Sequence, residues 1–337
     1  MILAIVWARF SDRMDELARD LGAERKNFDL GNVPKFLAPL KYFVYFWMTQ
    51  VFLFSSRPAV VYCQNPPVFA PLACIPYCSV TGSRLVIDHH NVWSVKAFGT
   101  SALSGAFKAL EHLAARYAFL NTVPHDYWKA VIHEEFSGHV LTVHDCVQRN
   151  PSSRSETMRR RVASSGLIGI ASGHQGISLE RVETEAMGVE RVQGVTLAMT
   201  GPPERLGPRL TRLGSLRKVK FLGYLPKVEY EELKASCDFG LNITDEPFTV
   251  NHTLFEYAAA SLPIISTKSE VIEAVFGDSI LYVEKSDAEA VAEKVKTFAQ
   301  DPSSLAQYRE RITRRFEELA VSGEHERALL RSLLGKT

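Results

Sequence analysis

Short apolar runs of strand length recur along the chain, each followed by a stretch whose apolar residues return every three or four positions. The runs are Ile2–Val6, Ala59–Tyr62, Arg84–Ile87, Phe119–Val123 and His139–Val143, then Leu167–Ala171, Val195–Thr200, Lys218–Leu222, Cys237–Ile243 and Leu262–Ser266. Between them, Asp12–Leu21 places Met14, Leu17, Ala18 and Leu21 on one helical face, and Ser101–Phe119 does the same with Leu103, Phe107, Leu110, Leu113, Ala114 and Tyr117. Lys227–Ser236 and Ser286–Phe298 are two further amphipathic helices. Continuously apolar strands alternating with such helices predict an α/β protein built on parallel sheets covered on both faces. The polar, breaker-rich stretch Asn150-Pro151-Ser152-Ser153-Arg154-Ser155 predicts a linker over 150–162. It separates an N-terminal domain, 1–149, from a C-terminal one, 163–337.

The stretch Cys237–Thr267 carries the most chemistry. A strand containing Asn242 leads through a polar loop to a short helix opening near Thr253, and a second strand follows. Thr253-Leu254-Phe255-Glu256 fits the capping box, in which Thr253 caps the helix and Glu256 returns to the cap's own N–H. The first turn of such a helix offers backbone N–H groups to an anion such as a diphosphate. The other reading is that Thr253 and Glu256 do no more than cap each other. A second box, Ser286-x-x-Glu289, reads as structural.

Polar residues gather at other strand ends, where open α/β sheets bind ligands. Asn65-Pro66-Pro67 ends one strand in a rigid extended turn, and Asp88-His89-His90-Asn91 ends the next. Asp88 or His90 would serve as a general base; the alternative is that Asp88 caps the following segment while His89 and His90 bond across the loop. In the second half, Gly173 and His174 follow a strand and Gly201-Pro202-Pro203 another, with Gly223-Tyr224-Leu225-Pro226 after a third. No glycine follows the first strand of the chain, so no phosphate cradle is expected there.

Phe36–Phe54 packs seven aromatics into the thirteen positions from Tyr42 to Phe54. It reads either as a helix buried on the sheet or as a helix touching a membrane, with Lys35 and Lys41 toward anionic headgroups. It is too short to span a bilayer, and the apolar N-terminus lacks the basic start of a signal peptide, so a cytoplasmic protein is expected.

The chain has 39 Lys and Arg against 38 Asp and Glu, which removes any bulk electrostatic case for nucleic acid. Its five cysteines show no paired spacing and read as buried free thiols. The histidines include His125, His133, His139 and His144, whose spacing matches no zinc pattern, so neither metal nor cofactor is expected.

LFEYAAASLPIIST resembles the segment of GT-B-fold glycosyltransferases that meets the nucleotide-sugar donor. VVYCQNPPVFAPL followed by SRLVIDHHNVW resembles the paired motif of the chitobiosyl-diphosphodolichol β-mannosyltransferase family, an arrangement shared by bacterial lipid-linked saccharide and exopolysaccharide transferases. The resemblance implies the GT-B architecture: two Rossmann-like domains facing across a cleft, with C-terminal helices crossing back to the first. It implies that Glu256 holds the donor ribose and that His252, Thr253 and Leu254 lie near the phosphates. Gly173, His174, Gly201 and Asn242 would line the donor side, and Tyr224 and Leu225 would sit beside the base. Asn65, Pro66 and Asn91 would face the acceptor. The activity implied is metal-independent hexosyl transfer from a nucleotide sugar, with GDP-mannose favoured, to a saccharide acceptor of the lipid-linked kind. Two departures stand out: Thr253 replaces a phosphate-binding Lys, and Ser261 replaces the glycine that ends the helix. No Lys or Arg lies between Ser172 and Ser178, where many relatives clamp the phosphates. A silent nucleotide-sugar-binding scaffold of the same fold and a nucleotide-sugar epimerase are the alternatives.

Overall fold

The computed structural model describes residues 1–9, 11–31, 33–90, 102–130, 139–145, 153–163, 165–172, 178–201, 209–246, 248–284 and 286–335. The chain forms two compact units, Met1–Cys146 with Ala320–Thr337, and Val147–Leu319.

In the first unit, β1 (Ile2–Val6), β2 (Glu24–Asn27), β3 (Val60–Asn65), β4 (Arg84–His89), β5 (Leu120–Val123) and β6 (Val140–Thr142) form one parallel sheet in the order β2-β1-β3-β4-β5-β6. Helices α1 (Asp12–Asp20), α2 (Ala38–Ser56), α3 (Phe69–Thr81) and α4 (Ala102–Tyr117) connect the strands. Every residue of β1 and β3 is buried, and the period of two sends alternate side chains to opposite layers. Leu3 and Ile5 join Tyr45 and Leu53 of α2 and Ala73, Cys74 and Tyr77 of α3. Ile2, Ala4 and Val6 join Met14, Leu17 and Ala18 of α1 together with Leu330 and Leu334 from the far end of the chain. Cys63, Cys74, Cys78 and Cys237 are free and buried.

The second unit repeats the scheme with β7 (Leu167–Ser172), β8 (Val195–Thr200), β9 (Val219–Gly223), β10 (Phe239–Asn242), β11 (Ile264–Thr267) and β12 (Leu281–Val283), all parallel, in the order β12-β11-β10-β7-β8-β9. Its helices are α5 (Glu156–Val162), α6 (Leu179–Glu190), α7 (Arg209–Gly214), α8 (Lys227–Ser236), α9 (His252–Ala259), α10 (Glu270–Phe276) and α11 (Ala288–Gln300). The long α12 (Pro302–Leu333) begins in this unit and ends in the first.

Local chemistry explains where the elements differ from the sequence pattern. The predicted linker contains α5, capped by Ser155 Oγ and tied into the second unit by Arg159, which meets Asp238 at 3.1 Å. Asp287 rather than Ser286 caps α11, accepting from the Ala290 amide at 2.8 Å. Ser261 takes the left-handed conformation (φ 55°) just after α9, in the place where the sequence lacks the glycine. The aromatic segment divides its faces: Tyr45, Thr49, Gln50 and Leu53 of α2 are buried, while Phe43, Trp47, Val51 and Phe54 are exposed.

Close approach fixes one position of the second sheet. A Cβ added to Gly240 of β10 would lie 2.3 Å from the ring of Tyr257, which is fully buried beneath it on α9. Tyr257 has no room to swing away, so Gly240→Ala is expected to cost about 2 kcal/mol through overpacking. Thermal unfolding of the variant against the native chain measures it.

Candidate functional site

A strand buried on both faces carries polar side chains only where it emerges, and ligands of open α/β sheets bind at the carboxyl ends where the strand order reverses. In the second unit that reversal falls between β7 and β10. β7 ends at Ser172, its neighbour β8 at Thr200, and β10 at Asn242, all buried. Ser172 Oγ, Thr200 Oγ1 and Asn242 Nδ2 have no hydrogen-bond partner among the described residues. Buried polar atoms left in that state are costly, and three on adjacent strand ends mark a place built for a polar ligand.

Helix α9 starts beside them. Asn251, its cap residue, makes no side-chain bond to the helix amides and instead donates from Nδ2 to Asn242 Oδ1 at 3.1 Å. The capping box expected of Thr253 and Glu256 does not form, because Asn251 is the cap and Thr253 lies inside the first turn of the helix. Leu254 is buried in the core. Glu256 is thereby released from capping. Its Oε2 accepts from Tyr230 Oη at 3.2 Å, and its Oε1 lies 4.0 Å from Lys234 Nζ. Lys234 is buried, bonds Glu231 at 2.9 Å and lies over the Tyr230 ring. Burial, with the Glu256 carboxylate second, holds the Tyr230 hydroxyl well above its usual range, so it stays a donor to Glu256. Tyr230 and Lys234 went unnoticed as site residues in the sequence; their spacing of four on one face of α8 was the signal.

Helix α6 braces the loop after β10. Glu185 Oε1 accepts from the Ile243 amide at 2.9 Å, and Arg181 bonds Thr244 Oγ1 at 2.6 Å and Asp245 at 3.1 Å. Burial pushes the Glu185 carboxyl up to about 8, against the pull of the Ile243 amide and Arg181. On the other side, Gly201 donates its amide to Gly223 O at 2.9 Å, joining the ends of β8 and β9; Tyr224 is exposed and Leu225 buried. Gly173 and His174 lie outside the described residues.

In the first unit the strand ends hold two networks. Asp88, at the end of β4, is fully buried. Arg13 donates to it from Nη2 (2.8 Å to Oδ1) and Nε (3.0 Å to Oδ2), while Thr122 Oγ1 donates to Oδ1 at 2.9 Å. The third Arg13 nitrogen, Nη1, reaches Asp145 at 2.6 Å. In this geometry both Asp88 oxygens accept from the buried guanidinium. His89 is also internal, its Nδ1 accepting from Asn65 Nδ2 (3.2 Å) and its Nε2 donating to Asn121 Oδ1 (2.9 Å), and burial lowers its pKa. Asn65 is thus part of the scaffold under the turn, with Pro66 half-buried above it. His90 is half-exposed, and its amide donates to Asn65 O and Asp88 O, both at 3.0 Å. Asn91 lies outside the described residues. Among the described residues no cluster of three His, Cys, Asp or Glu side chains is arranged to hold a metal.

Comparison with known proteins identifies the fold. Residues 184–325 match the profile of a family described as glycosyl transferase-like. HepE of Anabaena, solved in complex with UDP-glucose, superposes with a TM-score of 0.75 at 14% identity over 98% of this chain and 100% of its own. Sucrose-phosphate synthase of Thermosynechococcus elongatus gives 0.76 at 12% identity, covering 98% and 100%. A glycosyltransferase of Rickettsia africae gives 0.69 at 13%, covering 100% and 99%. No curated protein sequence matches the chain. The two six-stranded parallel sheets are the GT-B glycosyltransferase fold.

Two outcomes follow from the electrostatics. Asp88→Ala strands Arg13 in the interior with Asp145 as its remaining carboxylate and is expected to cost about 3–5 kcal/mol, read as a fall in the unfolding midpoint. Glu185 binds its proton more tightly folded than unfolded, so its contribution to stability is present at low pH and is lost as pH rises from about 4.5 through about 8. Glu185→Gln cannot ionise and is expected to abolish that slope, unfolding at a higher temperature than the native chain at pH 9.

Proposed function

We propose that this protein transfers a sugar from a nucleotide-sugar donor to a saccharide acceptor, with the second unit holding the donor. The observation that carries this reading is the set of buried atoms on Ser172, Thr200 and Asn242 that have no partner among the described residues, gathered at the strand-order reversal beside the start of α9. A nucleoside diphosphate supplies oxygens for Asn242 Nδ2 and hydroxyls for the carboxylate of Glu256. HepE, of the same fold, was solved with UDP-glucose, which supports a donor of this class.

The roles follow from the chemistry of the groups. Inverting or retaining, sugar transfer expels a nucleoside diphosphate, and the charge on that leaving group grows in the transition state. The start of α9, at His252 and Thr253, is the group suited to stabilise it without a metal; the Leu254 amide beside them is already bound to Asn251 O at 2.9 Å. Glu256, oriented by Tyr230 and backed by Lys234, holds the ribose hydroxyls. Tyr224 and Leu225, after β9, belong beside the base, and Gly173, His174 and Gly201 complete the donor side. In the first unit, His90 is the residue we assign as general base, with Asn65, Pro66 and Asn91 on the acceptor side. The NPP and DHHN segments favour a lipid-linked saccharide as acceptor and GDP-mannose as donor. Thr253, standing where a lysine would neutralise phosphate, favours the rival reading of a silent scaffold.

Incubation with a panel of UDP- and GDP-sugars, with and without a membrane-lipid extract, separates these readings by release of nucleoside diphosphate. Acceptor-dependent release is the expected result. Donor binding without release supports the scaffold, and interconversion of donor sugars without acceptor supports an epimerase. Glu256→Ala, at a half-exposed position, is expected to lower kcat/KM for the donor roughly 10- to 100-fold, the worth of a hydrogen bond to a charged group, while leaving thermal unfolding nearly unchanged.

A further inference from the structure

We propose that the outer face of α2, continued by Val80 of α3, docks on an anionic lipid bilayer surface. At about 100° per residue, Leu40, Phe43, Trp47, Val51 and Phe54 fall within roughly 80° of arc and run about 20 Å along the helix. All are exposed: Phe43 by 61%, Trp47 by 54% and Val51 by 69%, with Phe36 at 79% just before the helix and Val80 at 77%. Phe43 and Phe46 each pack edge to face on Trp47, so the stripe is a preformed aromatic surface. An apolar surface of this extent marks an interaction site.

Charge selects the occupant. From Leu30 to Ile87 the sequence has no Asp or Glu, and its only charged residues are Lys35, Lys41, Arg57 and Arg84. The helices carrying the stripe hold one charge between them, that of Lys41. Arg57 caps the C-terminus of α2 and is exposed. A second copy of the chain seated face to face would bring these cations together with no carboxylate on either helix to offset them. Anionic headgroups offset them directly, while tryptophan and phenylalanine enter the interfacial layer they favour. No helix among the described residues is long and apolar enough to cross a membrane, so α2 lies on the surface rather than through it. This proposal stands on the first unit alone and holds whether or not the chain transfers a sugar.

The test is flotation of the full chain with vesicles of equal parts phosphatidylglycerol and phosphatidylcholine, beside vesicles of phosphatidylcholine alone. The native chain is expected to float with the anionic vesicles, less with the neutral ones, and less again at high salt. Phe43→Ser/Trp47→Ser/Val51→Ser is expected to reduce the bound fraction's partition coefficient about tenfold or more, with unfolding temperature retained because all three positions are exposed. Brominated anionic lipid should quench fluorescence in the native chain by an increment that the conservative Trp47→Phe removes. Equal partition of native and triple-serine chains overturns the proposal. So does a native chain that ignores anionic vesicles, including one that sediments as a dimer dissociated by the triple substitution.

Discussion

Parallel strands covered on both faces leave no room for a polar side chain along their length, and this constraint shapes both units. β1 and β3 are buried from end to end, and alternate residues of β1 go to different apolar layers. Polar chemistry is displaced to the carboxyl ends. In the first unit Asp88 is held by Arg13 and Thr122 and His89 by Asn65 and Asn121, while Gln64 Oε1 and Asn65 Oδ1 at the end of β3 have no partner among the described residues. In the second, Ser172, Thr200 and Asn242 stay unsatisfied among the described residues. Both sheets thus carry unmet polar atoms at their carboxyl ends, three of them on adjacent strands in the second.

The strands and most helices were legible because hydrophobic periodicity is local. β1 and α8 fall where the pattern puts them, and Ser261, in place of a glycine, does adopt the left-handed turn that the pattern demanded. Capping was harder. At α9 the Thr253–Glu256 spacing fits the box, yet the helix is capped two residues sooner, at Asn251, whose side chain bonds Asn242. At α11 the aspartate beside Ser286 wins the cap, a choice between neighbours that spacing does not resolve.

The long-range networks were invisible for a different reason. Arg13 and Asp88 are 75 positions apart, and nothing in either neighbourhood announces the other. Asp88 looked like chemistry because it ends a strand in a polar cluster, but a buried arginine needs a carboxylate, and that need claims it. Glu256 went the other way: read first as a possible cap, it is instead half-open and oriented by Tyr230 and Lys234. Both basic partners, Arg13 and Lys234, are buried; what differs is the carboxylate, fully buried in Asp88 and 23% exposed in Glu256.

The last feature is the division of α12 between the units. Its final turns and the residues just beyond give Leu330 and Leu334 to the layer beneath β1, and Glu326 grips His144 through both backbone and side chain. Strand β1 therefore waits for residues that follow the whole second unit before its own layer closes. The first unit cannot mature as an early, self-contained product of synthesis: the second unit must be translated before the missing leucines arrive. Order of translation and order of completion are reversed in this chain.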